Sequence, residues 1–372
     1  MLVVQRRLTH YRVPFFDELR RRMDAAGLEL QLACGEPSPA ERAKADEGRL
    51  DWAQPLPTRY LFGDKLCWQP FAHLARDADA VVLTAENKLV CNLQQQYLGD
   101  GGRRVLLWGH GANLQGDPKS WRERVKRVVA RKADWWLGYT EASRGLIEVS
   151  GFPAERITIL NNAVDTRRFA AEVEAVTPQQ CEALRSELSI GAGPVGMYVG
   201  SLYPDRRFAW PLAAAQALRG RISGFELLVL GDGPQRELVQ SAAAAHPWIH
   251  ALGARQGADK ALAMSLAQVC LNPGLVGLGI LDSFVARVPL VTTDCGLHSP
   301  EIAYLEDGDN GVISVDSIEA FVAAAASVLL DDVLARRLRS GCARSAARYT
   351  VQAMADRFVD GVQRCLAAPG RR

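Results

Sequence analysis

The sequence predicts an α/β protein made of two doubly wound parallel-sheet domains facing a cleft. Three observations predict it. Short β-branched runs alternate with helical patterns along most of the chain, the arrangement of parallel strands covered on both faces by helices. The 372 residues exceed what one small core needs, so length points to two domains. Hydrophobic content of 48% and charged content of 23%, without a low-complexity tract, describe ordinary globular packing.

The first set of runs comprises Leu2 to Val4, Leu28 to Ala33, Ala80 to Leu83, Val105 to Trp108, Trp136 to Tyr139 and Ile157 to Leu160, and defines an N-terminal domain over residues 1–165. Residues 166–193 are acidic, contain Pro178 and Gly191 and lack a strand-like run, which suits a linker with one helix. The alternation resumes at Gly196 to Val199, Leu227 to Leu230, Val269 to Leu271 and Leu290 to Thr292, defining a C-terminal domain over residues 194–348. In residues 349–372, Val351, Met354, Phe358, Val362 and Cys365 form a helical apolar stripe. That face must be covered, and a return to the N-terminal domain would cover it.

The net charge of +2 gives no reason to expect nucleic acid as a partner. No run reaches the roughly 18 apolar residues that span a bilayer, and the chain opens on LVV with no secretory leader, so a cytoplasmic location is expected. Eight cysteines without CxxC or zinc-like spacing read as reduced thiols, and no metal site is expected. His246 and His250 are split by Pro247, which prevents a helical metal pair, while Asp307 and Asp309 lie in a turn-rich loop. The segment Lys119 to Lys132 carries seven basic residues against one acid. As a helix it offers a cationic face either to solvent or to an anionic membrane surface on which the protein would sit peripherally.

The chemistry concentrates at strand ends. Asn272 to Glu301 meets a loop with Gly274, Gly277 and Gly279, then a short helix to about Ala286 and a second strand, Pro289 to Thr293. Backbone amides of such a loop, those of Gly277 and Leu278 among them, are free to point at a phosphate. YVGSLYPDRRF, Tyr198 to Phe208, follows a strand and puts Ser201, Arg206 and Arg207 in the next loop; an arginine there suits a diphosphate, although for the loop in isolation a solvated pair is the simpler reading. LLVLGDGP, Leu227 to Pro234, is explained by a tight turn about as well as by a ligand loop. His110, between two glycines at the end of Val105 to Asn113, can face a ligand or be an incidental loop histidine. Gly277, Gly279 and Asp294 come close to a dinucleotide pattern, but Asp282 stands at the third glycine position and the helix between is short, so a nicotinamide-dependent oxidoreductase is a weaker alternative. There is no GxSxG elbow to support a hydrolase.

Together ILNNAVDTRRF, YVGSLYPDRRF, LLVLGDGP and GLGILDSFVARVPLVTTDCGLHSPEIAYLEDGDNG resemble, in order, four blocks of the retaining glycosyltransferases of family 4, which have the two-Rossmann GT-B architecture. LTHYRVPFFDEL and LLWGHG resemble the family less tightly. The resemblance implies a nucleotide-sugar donor in the C-terminal domain, a glycan or lipid-linked acceptor in the N-terminal one, retention at the anomeric carbon, and no metal or cofactor. It implies Arg206 at the diphosphate, with Ser201 at the family's arginine position and Arg207 as a replacement cation. It also implies Asp282 at a ribose-binding acid, Glu301 in a recurrent Pro-Glu, and His110 bonding the donor sugar or orienting the acceptor. Gly274 stands where the family has its first glutamate. A catalytically inactive GT-B protein that binds a glycan or partner is the alternative this departure raises.

Overall fold

The computed structural model describes residues 1–42, 46–86, 88–98, 102–111 and 132–370. The chain divides into two compact units, residues 1–165 with 350–372, and residues 166–349. Residues 350–372, which carry the apolar stripe of the terminal helix, therefore group with the first unit.

In the first unit the strands are β1 (Leu2–Gln5), β2 (Gln31–Cys34), β3 (Gln54–Pro55), β4 (Arg59–Leu61), β5 (Leu66–Trp68), β6 (Ala80–Thr84), β7 (Arg104–Gly109), β8 (Trp135–Gly138) and β9 (Ile157–Ile159). All but β4 and β5 form one parallel sheet in the order β3-β2-β1-β6-β7-β8-β9. Central strands such as β8 are buried along their whole length, which is why they read as continuous apolar runs rather than alternating ones. β4 and β5 make an antiparallel pair whose turn residues Phe62, Gly63 and Asp64 all have positive φ. The edge strand β3 and this hairpin were not expected from the sequence; β3 ends on Pro55, a residue that points away from a strand assignment.

The terminal helix, Val351–Ala367, starts where the Thr350 hydroxyl accepts the Ala353 N–H at 3.1 Å. Its stripe lies against helix Val13–Ala25 and strands β7 to β9. Phe358 is fully buried, with its ring centroid 5.9 Å from Phe15 and 5.5 Å from Trp108.

The second unit has β10 (Val195–Val199), β11 (Glu226–Leu230), β12 (Ile249–Gly253), β13 (Val269–Leu271), β14 (Leu290–Thr293) and β15 (Gly311–Ser314) in one parallel sheet ordered β12-β11-β10-β13-β14-β15. Its core gathers Phe208, Leu227, Val229, Phe225 and Phe321. The stretch expected as a linker with one helix instead carries two, Arg167–Glu174 and Pro178–Glu187, both packed on helix Gly257–Leu266. The second of these starts with a capping box between Thr177 and Gln180 and buries none of its residues, so it gave no apolar stripe to read.

Replacing Phe358 by Ala is expected to destabilise the first unit by about 3–5 kcal/mol, the usual range for emptying a buried aromatic site. Urea unfolding followed by far-UV circular dichroism measures this; a loss under about 1 kcal/mol would show that the helix is not part of that core.

Candidate functional site

In a parallel sheet, ligands lie beyond the carboxyl ends of the strands at the point where the strand order reverses. In the second unit that point is between β10 and β13, which are neighbours in the sheet although β11 and β12 separate them in sequence. The loops after β10 and β13 therefore emerge side by side. One carries Ser201, Arg206 and Arg207, the other Gly274 to Gly279.

Arg206 closes the gap between these loops. It ends a one-turn helix, Pro204–Arg206, and its Nη1 donates to the carbonyl of Leu275 in the glycine loop. The amides of Gly277 and Leu278 meet no acceptor among the described residues. Neither Gly277 nor Gly279 has a positive φ, and a Cβ at Gly277 would touch only at ordinary contact distance, 3.6 Å from the Ser299 Oγ, while one at Gly279 would meet nothing. Neither backbone conformation nor packing requires glycine at 277 or 279. What glycine provides there is clear space over the amides.

Arg207 has a different position. It adopts a left-handed conformation with φ 54°, pairs with Asp316, and its guanidinium stacks 3.9 Å above the Trp210 ring centroid. Burial pushes the Asp316 carboxyl up, but hydrogen bonds from Arg207 and from the Thr293 hydroxyl, the latter 2.9 Å, outweigh it and hold its pKa below the ordinary value. Arg207 thus anchors the loop to the far side of the sheet, and Arg206 is the member of the pair beside the glycine loop.

Ser201 contributes its carbonyl to the fold, accepting the Tyr198 hydroxyl at 2.9 Å. Gly231 lies so close to the loop after β10 that a Cβ there would stand 1.9 Å from the Gly200 carbonyl oxygen, and Leu202 N–H bonds the Asp232 carbonyl at 2.9 Å. The glycines of LLVLGDGP are packing residues. Asp282, in the first turn of helix Ile280–Val285, receives Lys260 Nζ at 2.6 Å, and Lys260 lies 5.0 Å from the Phe169 ring. Glu301 is buried in the 3-10 turn Pro300–Tyr304. Asp307 accepts the Ile313 N–H at 2.9 Å and Asp309 pairs with Arg344, so both serve the turn.

Sequence reasoning passed over His298. Its Nδ1 accepts the Val276 N–H at 3.2 Å and its Nε2–H donates to the Thr293 carbonyl at 2.6 Å, tying the glycine loop to the end of β14. This pattern fixes a neutral imidazole, and burial lowers its pKa. A lone histidine in a turn carried no signal of that role.

In the first unit, His110 follows β7 on the exposed side and sits edge-on to Tyr139 with ring centroids 4.3 Å apart. The glycine after it is required: Gly111 has φ 86°, and a Cβ would stand 2.6 Å from Ile147. Of the basic segment Lys119 to Lys132, only Lys132 falls among the described residues. Those residues contain no group of three or more metal-ligating side chains and no helix long and apolar enough to cross a membrane.

Residues 193–331 match the family model described as glycosyl transferases group 1. That match lies within the second unit. The chain is 24% identical to alpha-D-kanosaminyltransferase of Streptomyces kanamyceticus over 249 residues, 63% of this chain and 61% of that protein. It is 26% identical to the GDP-mannose-dependent alpha-(1-6)-phosphatidylinositol monomannoside mannosyltransferase of Mycolicibacterium smegmatis over 245 residues, 62% of each chain. The chain therefore matches about three fifths of the length of these curated relatives. Among solved structures it is similar to Anabaena Alr3699/HepE in complex with UDP, with TM-score 0.71 and 13% identity across 98% of this chain and 100% of that one. It is also similar to the lipopolysaccharide outer core galactosyltransferase WaaB in its apo form, with TM-score 0.69 and 12% identity across 97% and 98% of the two chains. The fold is GT-B, and the segment that matches the family model is where Arg206 and the glycine loop meet.

Because His298 is held neutral, its folded-state pKa lies below its unfolded value. Its contribution is then complete above the unfolded pKa, about 6.5, and is lost as pH falls through the folded value. Acidification below that value should lower the melting temperature more in the native chain than in His298→Gln. Equal slopes of melting temperature against pH for the two would refute the tie.

Proposed function

We propose that the protein is a retaining glycosyltransferase of family 4 that moves a sugar from a nucleotide-sugar donor to a glycan or lipid-linked acceptor. The observation that carries this reading is the meeting of Arg206 with the glycine loop at the order reversal of the second sheet. Arg206 and the amides of Gly277 and Leu278 would hold the diphosphate as it leaves. Donors fixed on developing negative charge are worth roughly 2.7–4 kcal/mol each where water is excluded. Binding requires Arg206 to trade the Leu275 carbonyl for phosphate oxygens, a charge-assisted bond stronger than the one it replaces. Arg207 then acts by keeping the loop in place.

Asp282 is the group for the ribose hydroxyls, and Lys260 beside it holds the carboxylate in position. Gly274 gives the donor sugar no side chain, so sugar recognition falls to other residues. In a front-face reaction the departing phosphate oxygen takes the acceptor proton, so no carboxylate base is needed; His110 would orient the acceptor or bond the sugar. Neither a metal nor a cofactor is part of this scheme. The names of the relatives, one acting on a phosphatidylinositol mannoside and one on lipopolysaccharide outer core, support a lipid-linked or cell-surface acceptor, with the protein in the cytoplasm or peripheral on a membrane.

Thermal-shift screening against UDP, GDP, CMP, dTDP and their common sugars should find one nucleotide family that protects, since a ligand at a hundred times its dissociation constant adds about 2.7 kcal/mol. Arg206→Ala should abolish that protection and cut transfer or donor hydrolysis by about 10²–10³-fold, with its unliganded melting temperature unchanged. Wild-type kinetics in the variant would remove Arg206 from the mechanism. A native chain that neither transfers nor hydrolyses any protecting nucleotide sugar would instead be a binding protein on a GT-B fold.

A further inference from the structure

Near the carboxyl ends of β7 and β8 the first unit holds a cation that the proposed reaction leaves unused. Arg12 ends the 3-10 turn His10–Arg12 and occupies the N-cap position of helix Val13–Ala25. It is only 8% exposed. Among the described residues no carboxylate pairs with it: its guanidinium lies 5.5 Å from the Tyr11 ring, 5.3 Å from Trp108 and 5.7 Å from Tyr139, and its hydrogen-bond contact is Nη1 to the Met354 thioether at 3.9 Å. Aromatic faces stabilise a cation but accept no strong hydrogen bond, and a thioether accepts weakly. A buried guanidinium with so few acceptors is costly unless something completes it.

Two further observations at the same place point the same way. The indole Nε1 of Trp108 is buried and has no hydrogen-bond partner among the described residues. Among the described residues the helix that Arg12 opens has no side-chain cap, and its first turn carries no acid, so neither source balances the positive end of its dipole. An unpaired cation, an unsatisfied N–H and an uncompensated helix terminus all lack the same partner, a negatively charged oxygen. Tyr11, 37% exposed, marks the side on which this ring cluster reaches solvent. Tyr139, one of the rings facing Arg12, is also the ring against which His110 sits.

We propose that Arg12 is the anchor of an anion-recognition site in the first unit, and that it takes a phosphate or carboxylate group carried by the acceptor. Calling the anion part of an acceptor rests on the glycosyl-transfer reading; the site itself does not. A neutral sugar would leave the guanidinium unpaired, so the site discriminates for charge as well as for shape.

The test is calorimetric titration of the full chain with glycerol, glycerate and glycerol 3-phosphate, repeated in the presence of whichever nucleoside diphosphate protects most strongly. Glycerol should not bind, at least one anionic form should, and saturation with nucleotide should leave that binding intact. Arg12→Met should weaken anion binding by at least about tenfold, and Arg12→Lys should restore part of it. Trp108→Phe, which keeps the ring and removes the N–H, should weaken it by a smaller factor, and nucleotide protection should persist in all three variants. Equal anion affinity in Arg12→Met, no binding of either anion to the native chain, or loss of binding once nucleotide is present would each overturn the site. Nucleotide protection without Arg12-dependent anion binding defeats only this inference, whereas Arg12-dependent anion binding without any nucleotide protection defeats only the transfer reading.

Discussion

The hydrogen-bonded pairing of β10 with β13 is the constraint on which the candidate site depends. Gly196 opposes Val269 and Met197 opposes Cys270. Because the strand that follows β10 in sequence lies on its other side, the helices flanking these two strands leave in opposite directions and cannot fill the space beyond their carboxyl ends. Into that space come two loops of opposite character. One is cationic and rigid, held by Tyr198, Asp232 and Asp316; the other is poor in side chains and rich in unspent amides. Arginine next to peptide nitrogens that meet no acceptor among the described residues is a composition suited to a diphosphate.

The polar groups around this space divide the work between anchoring and binding. Thr293, at the end of β14, has its hydroxyl within hydrogen-bond reach of the Pro273 carbonyl and of Asp316 and shares its one proton between them, while its own carbonyl receives His298. One strand end thus fixes the start of the glycine loop, the partner of Arg207 and the imidazole that holds Val276. Arg207 spends its charge on Asp316, which leaves the negative group that would otherwise lie near a phosphate already neutralised. Arg206, bonded only to a neutral carbonyl among the described residues, keeps its charge available. Two adjacent arginines therefore differ in role through their partners rather than their chemistry.

Those partners explain how far the sequence could be read. The parallel sheets were legible because a strand buried on both faces is a local property, visible in four or five consecutive apolar residues. The short β15 was hidden behind the turn-rich Asp307 to Asn310, and the helix Pro178–Glu187 by its polar surface. Arg206 and Gly277 could be nominated because each follows a strand, and topology then brings strand ends together. That Asp316 occupies Arg207 could not be read, since it lies 109 positions away and is joined only by the fold. Lys260 on Asp282 and His298 on Val276 were invisible for the same reason: each is separated from its partner by 22 residues and by at least one complete element. Arg12 was harder still, because a charge before an apolar helix looks like solvent-facing punctuation until the rings around it are known.

The two sheets treat their order reversals differently, and this bears on what each can bind. In the first unit the reversal falls between β1 and β6, and the residues just beyond those strands are already paired: Arg6 holds Glu41 at 2.6 Å and Glu86 at 3.1 Å, with the Tyr60 hydroxyl at 3.1 Å. The Arg6 hydrogen bond is the main cause that lowers the Glu41 pKa, to about 2, so the Arg6–Glu41 pair stays ionised across the working pH range. A phosphate arriving there would have to displace two carboxylates from one guanidinium. In the second unit no carboxylate among the described residues meets Arg206, and an anion would displace only a neutral carbonyl. Charge pairing therefore closes the first sheet's crevice to anions and leaves the second sheet's open. In the first unit, the cation left without a carboxylate among the described residues lies instead two to three positions along the sheet from β1, among the rings of Trp108 and Tyr139 by β7 and β8.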